Sequence, residues 1–486
     1  MKYKIAGVLV VAVMLTVAWA AEQEPEHPSG RIHQHETARR QEEGCDCDGG
    51  ELCTHLPLVL IDTGGETVPG NVLSQTKDGV NIYETTKDGE EMLEAQICVI
   101  DREDRNHHPS DEPDLKSDVQ IRIRGNSSRR FDKKNYLIRL VDKKGEYQDE
   151  EVMGMEPHYE WALHGPWLDK SLMRNYMWYN IAGEIMDYAP NVRFCELILN
   201  GEYLGLYVMT ETIASGKDSR LKLSEPIEDT GVSGVILRQD RGNDMELKNL
   251  NTFGMYSYRN RSKIDIKYPR SGDLTEGLAR AVEQDFSDFE KALYSYDYDT
   301  EDYGYYHYID TGSFVDYFLI NEFTANTDAG LFSTYFYKDI GERYKLVVWD
   351  FNSACDNYVE GERGFRNFFL PDSMWYYMLL KDEYFVERII DRYWELRETY
   401  LSQEYLENYI DGVVSYLGDA VERNFSVWGY SFQEKMLEPA ERNIQSYSEA
   451  TKQMKTFLRQ RGEWLDENIE TLRQYSHESK NKSYNH

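Results

Sequence analysis

Between Val119 and Asp142 the chain reads VQIRIRGNSSRRFDKKNYLIRLVD, with seven basic side chains and one internal acid, Asp132. In a protein of formal net charge -33, such a concentration of cations calls for an anionic ligand. Gly125, Asn126, Ser127 and Ser128 are small enough to let backbone N–H groups approach a phosphate, while Arg124, Arg129, Arg130, Lys133 and Lys134 supply charged donors around it. A second group lies downstream. Asp328 follows an apolar segment, and Asp350 ends YKLVVWD. Phosphoryl transfer needs one carboxylate to accept a hydroxyl proton and another to hold a divalent cation against the phosphates. Taken singly, each feature is ordinary, since basic runs are usually solvated and loop Asp residues cap turns. Their joint presence points to phosphotransfer. Ser333 stands five residues after Asp328, where such loops carry an Asn that helps to hold a second metal ion.

The elements needed to position these groups are legible. Val119, Ile121 and Ile123, then Tyr136, Ile138 and Leu140, alternate as two half-buried strands of a hairpin with a basic tip. Phe314, Phe318 and Leu319 predict a buried helix ending near Asn326, followed by a strand over Leu331–Lys338, a turn at Gly341 and a returning strand over Tyr344–Asp350. Antiparallel return would bring Asp350 back beside Asp328. Further strands are expected over Leu58–Thr63 and Ala95–Asp101. A helix is expected through Leu172, Met173, Met177, Ile181 and Ile185, capped by Asp169 or Ser171 and stopped by Pro190. Asn200-Gly201 predicts a tight hairpin. The Tyr/Asp-rich segment Tyr294–Asp310 reads as an exposed loop, and the chain beyond Pro371 reads as helical to about Tyr475. The class is α+β, strand-rich in its N-terminal part and helical in its C-terminal part.

A 486-residue chain that is 41% hydrophobic can build a large core and two lobes, and 13% aromatic content excludes a disordered acidic tail. A pI near 4.8 argues against nucleic acid and suits basic substrates or divalent cations. The start, MKYKIAGVLVVAVMLTVAWA, has the charged, apolar and A-x-A regions of a signal peptide over residues 1–20, so export is expected. No later segment is apolar and long enough to span a bilayer. Residues 21–57 read as a polar, Cys-containing linker, 58–475 as the main domain and 476–486 as a polar tail. Cys45, Cys47 and Cys53, with Asp46, Asp48 and His55, gather metal donors, but their spacing matches no zinc pattern and reads as disulfide or free thiol.

Four runs in order, RGNSSRRFDKKNYLIRL, WALHGPWLDKSLMRN, RFCELILNGEYLGLYVMTE and NTD followed by VVWDFN, resemble the spore coat protein H (CotH) family of atypical protein kinases across roughly Leu58–Asn357. The resemblance implies a bilobal kinase-like fold, ATP with Mg²⁺ or Mn²⁺, and transfer of the γ-phosphate to Ser or Thr of a secreted or surface protein. It implies that Asp328 is catalytic and that Asp350 binds metal. It further implies that Lys133 or Lys134 contacts nucleotide phosphates beside Arg124 and Ser127, with Glu211 as a candidate partner for the lysine. Lys134 is favoured because it shares strand parity with Tyr136 and Ile138. The family pattern has Asn where this chain has Ser333, and Asp where it has Asn352, so the metal set here carries less charge. Two other classes compete: a non-catalytic surface or adhesion protein on the same fold, and a secreted glycoside hydrolase with paired carboxylates and aromatic sugar platforms. The hydrolase leaves the basic hairpin idle.

Overall fold

The computed structural model describes residues 29–36, 45, 47, 49–75, 81–103, 105–228, 230–243, 245–260, 262–359, 361–362 and 364–481. The signal-peptide reading, and Asp46 and Asp48, fall outside them.

Period-two alternation in the first third produces a closed barrel rather than an open sheet. Its strands are β1 (Leu58–Asp62), β2 (Leu93–Ile100), β3 (Leu115–Arg124), β4 (Asn135–Val141), β5 (Glu160–His164), β6 (Val192–Leu199) and β7 (Glu202–Glu211). Their order around the barrel is β1-β6-β7-β5-β4-β3-β2, returning to β1. Only β1 and β6 run parallel, so the chain's first strand closes the barrel against a strand some 130 residues later. Val119, Ile121, Ile123, Tyr136, Ile138, Trp161 and Leu163 fill the interior. The same pleat turns Arg122, Arg124, Arg139, Glu160 and His164 outward along β3, β4 and β5. Asn200 (φ 52°) and Gly201 (φ 81°) both take the left-handed conformation that a type I′ hairpin between β6 and β7 requires.

Beyond β7 the chain crosses at Thr212–Ser215 into a second packing unit. Strands β8 (Val235–Asp240), β9 (Asn249–Leu250), β10 (Lys263–Tyr268), β11 (Thr334–Lys338) and β12 (Lys345–Val347) form a sheet in the order β9-β10-β8-β11-β12. The helices are α1 (Arg174–Ile185), α2 (Glu276–Leu293), α3 (Thr311–Thr324), α4 (Glu383–Arg397), α5 (Gln403–Leu417), α6 (Asp419–Trp428) and α7 (Tyr447–Asn468); α3 packs on β12 of this sheet, whereas α1 and α6 pack on β6 and β7 of the barrel. Helix α3 is apolar on nearly all sides and is accordingly buried, its start capped by the Asp310 carboxylate accepting from Ser313 N at 2.8 Å. Glu322 near its end is 1% exposed and pairs with buried Arg461 of α7 at 2.9 Å, while also accepting from Leu370 and Phe369 N–H groups. One buried ion pair thus fixes α3, α7 and the segment before Leu370. The strand-rich, then helical, α+β organisation expected from sequence is observed.

Several boundaries need correction. Residues 29–36, read as linker, are docked on the domain. Arg31 is 8% exposed and donates to the carbonyls of Ala189 (2.6 Å) and Pro190 (3.0 Å) and to Asn180 Oδ1 (3.2 Å). A polar segment held by hydrogen bonds leaves no hydrophobic period to detect. The polar tail likewise packs as far as Asn481, whose amide donates to Tyr306 Oη at 2.6 Å. Tyr298, Tyr305 and Tyr306 are buried within the segment read as an exposed loop, Tyr305 Oη donating to Asp382 at 3.0 Å, whereas Tyr296 and Tyr303 are exposed. Among the described residues no helix is long and apolar enough to cross a membrane.

Candidate active site

Helix α3 stops at Thr324 because Ala325 turns left-handed (φ 48°). The next residue, Asn326, donates from its amide to Asn321 Oδ1 (3.0 Å) and to the Asp350 carbonyl (3.2 Å), tying the loop to the end of the β11–β12 hairpin. The carbonyl of Asp328 accepts from Leu331 N (3.0 Å) and Phe332 N (2.7 Å), forming a tight turn into β11. Register Tyr335↔Val347 then returns Asp350 to the level of that turn. Both strands are shorter than the sequence reading had them, yet the topology is the one it describes.

Backbone strain concentrates here. Eight described non-glycine residues have left-handed φ, and five of them are Ala325, Ser333 (50°), Asp350 (64°), Cys355 (52°) and Asp356 (58°). Such conformations persist where surrounding structure over-determines them. Helix α1 provides that support. Tyr179 Oη accepts from Asp350 N (2.8 Å), Asn175 Oδ1 accepts from Phe351 N (2.7 Å), and Arg174 donates to the carbonyls of Ala354 (3.0 Å) and Cys355 (3.3 Å). Arg174 is itself anchored by buried Asp169, whose other oxygen takes the Arg174 N–H at 2.8 Å. Asp169 therefore holds the start of α1, although not as its N-cap.

Burial pushes the Asp350 carboxyl above the usual carboxylate range, while the Asn352 donors and Arg124 act against that shift. Its Oδ1 accepts from Asn352 N (3.1 Å) and Asn352 Nδ2 (2.7 Å); among the described residues nothing donates to Oδ2. The Asn352 amide also lies against His164, whose imidazole burial pushes down to about 3, so it is neutral. Arg124 reaches over from β3 with its guanidinium 5.2 Å from the Trp349 ring. Asp328, Asp350, Asn352 and Ser333 offer oxygen donors only, which fits Mg²⁺ or Mn²⁺ completed by water and phosphate oxygens and not a thiolate-preferring ion.

Next to the Thr212–Ser215 crossing, a cavity of about 400 Å³ opens between the outer barrel face and β10, lined in part by Arg139, Glu160, Ser215, Lys267 and Tyr268. Burial alone would raise the Glu160 carboxyl, but Arg139 at 2.7 Å and Lys267 outweigh it and hold it near 2. Gln120 pairs with Arg139, so the outward residues of β3 run from this cavity through Arg122 to Arg124 over about 13 Å.

The basic hairpin tip is arranged differently from its sequence reading. Arg129 donates to the carbonyls of Gly125 (2.6 Å) and Gly70 and stacks 4.1 Å over Tyr83. Lys133 is 1% exposed, donating to the Leu206 carbonyl and Asn424 Oδ1, each at 2.6 Å, and burial drives its ammonium well below the usual lysine range. Half-buried Lys134 donates to the Arg129 carbonyl at 2.8 Å. Ser127 is exposed at the start of a 3₁₀ turn. Glu211 pairs with neither lysine: its carboxylate takes Arg220 (2.9 Å), Tyr188 Oη (2.9 Å) and Asn191 N (3.0 Å). The expected lysine–glutamate pair is thus not formed, because strand pairing carries Glu211 to the far end of β7 beside Asn191.

The family described as CotH kinase protein matches residues 121–465. The chain belongs to the CotH kinase family. No curated protein matches it. Family membership marks it as a kinase-like protein, and the match takes in the end of β3 from Ile121, Asp328, Asp350 and most of the helical part. Sequence reasoning on this CotH-family chain missed Arg139 and Glu160, which meet through pairing of β4 with β5, and Lys267, which the second sheet brings to them across the cavity. It also missed the α1 support, although Asp169 and Arg174 within WLDKSLMRN carried a signal: opposite charges five residues apart on either side of Leu172 and Met173.

Proposed function

We propose that the protein is an ATP-dependent kinase that transfers the γ-phosphate to Ser or Thr of a secreted or surface protein. The reading assigns a bilobal kinase-like arrangement, with the barrel as one lobe, the second unit as the other and Thr212–Ser215 as the connection. The observation that carries it is the left-handed Asp350, tied through Asn326 to the Asp328 loop and faced by Arg124 from the barrel.

In this reading the nucleoside occupies the cavity beside the connection, and its phosphates follow Arg122 and Arg124 towards Asp350. Guanidinium groups at alternate strand positions suit a chain of phosphate oxygens. Asp328 accepts the proton of the attacking hydroxyl, and helix α3 with the Asn326 bonds holds it in place. Asp350, Asn352 and Ser333 would hold Mg²⁺ or Mn²⁺, which when bound neutralises charge developing on the phosphates. The acidic surface attracts a basic substrate segment by long-range field.

A non-catalytic binding role on the same scaffold is favoured by one observation, the neutral Ser333 and Asn352 at metal positions. Nucleotide separates the two. A kinase gains thermal stability with ATP plus Mg²⁺ and incorporates label from [γ-³²P]ATP into itself or a basic Ser/Thr-containing protein. Absence of both effects in folded protein overturns the proposal.

A further inference from the structure

A second metal chemistry lies on the opposite side of the charge argument, where thiols and not carboxylates converge. Cys45 and Cys47 precede the barrel, Cys53 stands just before β1, and His108 lies in the loop joining β2 to β3. The four ligand atoms, three Sγ and one imidazole nitrogen, all lie within 4.8 Å of one another. None of the three cysteines is in a disulfide. We infer that Cys45, Cys47, Cys53 and His108 form a structural Zn²⁺ site that clamps the segment before β1 onto the β2–β3 loop.

The spacing accommodates a tetrahedral ion. With Zn–S about 2.3 Å and Zn–N about 2.0–2.1 Å, a tetrahedron sets sulfur and nitrogen about 3.5 Å apart and two sulfurs about 3.8 Å apart. Cys45 Sγ lies 3.5 Å from His108 Nε2. The surroundings are those of a prepared site. His108 Nδ1 faces Asp111 Oδ2 at 3.4 Å, and the same carboxylate accepts the His108 N–H at 2.9 Å, which orients Nε2 towards the sulfurs. Asn106 Nδ2 donates to Cys53 Sγ at 3.4 Å, the kind of N–H···S contact that steadies a thiolate. Backbone pairing of Thr54 with His107 (3.1 and 2.7 Å) fixes Cys53 and His108 as neighbours before any ion binds. Four protein donors leave no open position, so the site is structural, and soft thiolates select Zn²⁺ over the hard ions that suit Asp350.

His55, the imidazole the sequence offered to this cluster, is elsewhere: its Nε2 lies 2.6 Å from the Tyr416 carbonyl. The fourth ligand is 55 residues beyond Cys53 and no local spacing could nominate it.

The test is metal content of the full protein purified without chelators, measured by inductively coupled plasma mass spectrometry. About one zinc per chain is expected, as a four-ligand site holds a single ion. Cys53→Ser and His108→Ala should each drop it at least tenfold, and Asp111→Asn should weaken retention about tenfold. Cys98→Ser and Asp350→Asn should keep the full complement, so this result stands apart from the fate of the kinase proposal. Because the ligand variants can fail to fold, the wild type carries a second readout. Chelation should lower its melting temperature, Zn²⁺ should restore it, and Co²⁺ in its place should give the visible bands of tetrahedral thiolate coordination. A folded, zinc-free wild type that takes up no Co²⁺, a disulfide among Cys45, Cys47 and Cys53 in peptide mass mapping, or full zinc in Cys53→Ser overturns the assignment.

Discussion

The β3–β4 hairpin tip and the corner formed by the α3 end and Asp350 stand out equally in the sequence, one by its cations and one by its acids. The fold treats them in opposite ways. At the tip, Arg129, Lys133 and Lys134 give their donors to backbone carbonyls, Lys133 also to Asn424 Oδ1, and the charge holds the turn together. At the corner, neighbouring groups from α1 hold the backbone in a costly conformation while one oxygen of Asp350 is left without a donor among the described residues. Charge density in a sequence therefore says little about availability. Strained backbone with unspent donor capacity says more, because strain survives only where the rest of the structure enforces it.

The largest expected effect is at Asp328. Replacing it by Asn keeps shape and hydrogen bonding but removes the proton acceptor, so phosphotransfer should fall about 10²–10⁴-fold with an unchanged melting curve. Full activity in this variant, read by label incorporation, breaks the comparison outright. Asp350→Asn tolerates the left-handed φ and should lose the stabilisation that ATP plus Mg²⁺ gives the wild type, about 2.7 kcal/mol at a hundredfold excess over Kd. Differential scanning fluorimetry with and without nucleotide checks this.

The outer barrel face supplies a pH signature. Glu160 is held near 2 against an ordinary 4.5, so the folded state binds this proton more weakly than the unfolded chain. Its contribution is fully present above about 4.5 and is lost as pH falls towards 2, amounting to up to about 3 kcal/mol. Glu160→Gln should remove that part of the acid slope in denaturant titrations between pH 5 and 2; an identical slope in both proteins contradicts the Arg139 pairing.

The cations are compared directly by the next pair. Arg124→Ala should raise the KM for ATP by a factor of about 10–100, the 1.5–3 kcal/mol of a charge-assisted phosphate contact. Lys133→Met, which removes a buried cation without removing its bulk, should leave that KM unchanged, and Lys134→Ala should shift it less than Arg124→Ala. The reverse ranking in initial-rate kinetics would return the hairpin tip to the phosphate site. The smallest effect is expected for Ser333→Asn, a longer oxygen donor at the same left-handed position, which should lower the Mg²⁺ concentration for half-maximal activity a few-fold. A higher metal requirement would mean that Ser333 belongs to a different ligand set.

The sequence by itself determined the α+β class, the β3–β4 and β6–β7 hairpins, the helix–loop–hairpin carrying Asp328 and Asp350, and the family resemblance. Each is written in local periodicity, turn residues or short motifs. It misread Arg31, Tyr305 and Asn481 as parts of solvated segments, because polar side chains docked by hydrogen bonds leave no apolar pattern. Tertiary structure alone decided that the barrel closes through β1 and β6, that Lys133 is buried, that Arg139, Glu160 and Lys267 line one cavity, and that His108 meets Cys45, Cys47 and Cys53. These contacts join residues from 21 to 291 positions apart, and a chain fixes such distances only when its strands and helices choose partners. Side-chain type is local information, whereas which carbonyl, carboxylate or thiol it meets is set by packing of the whole.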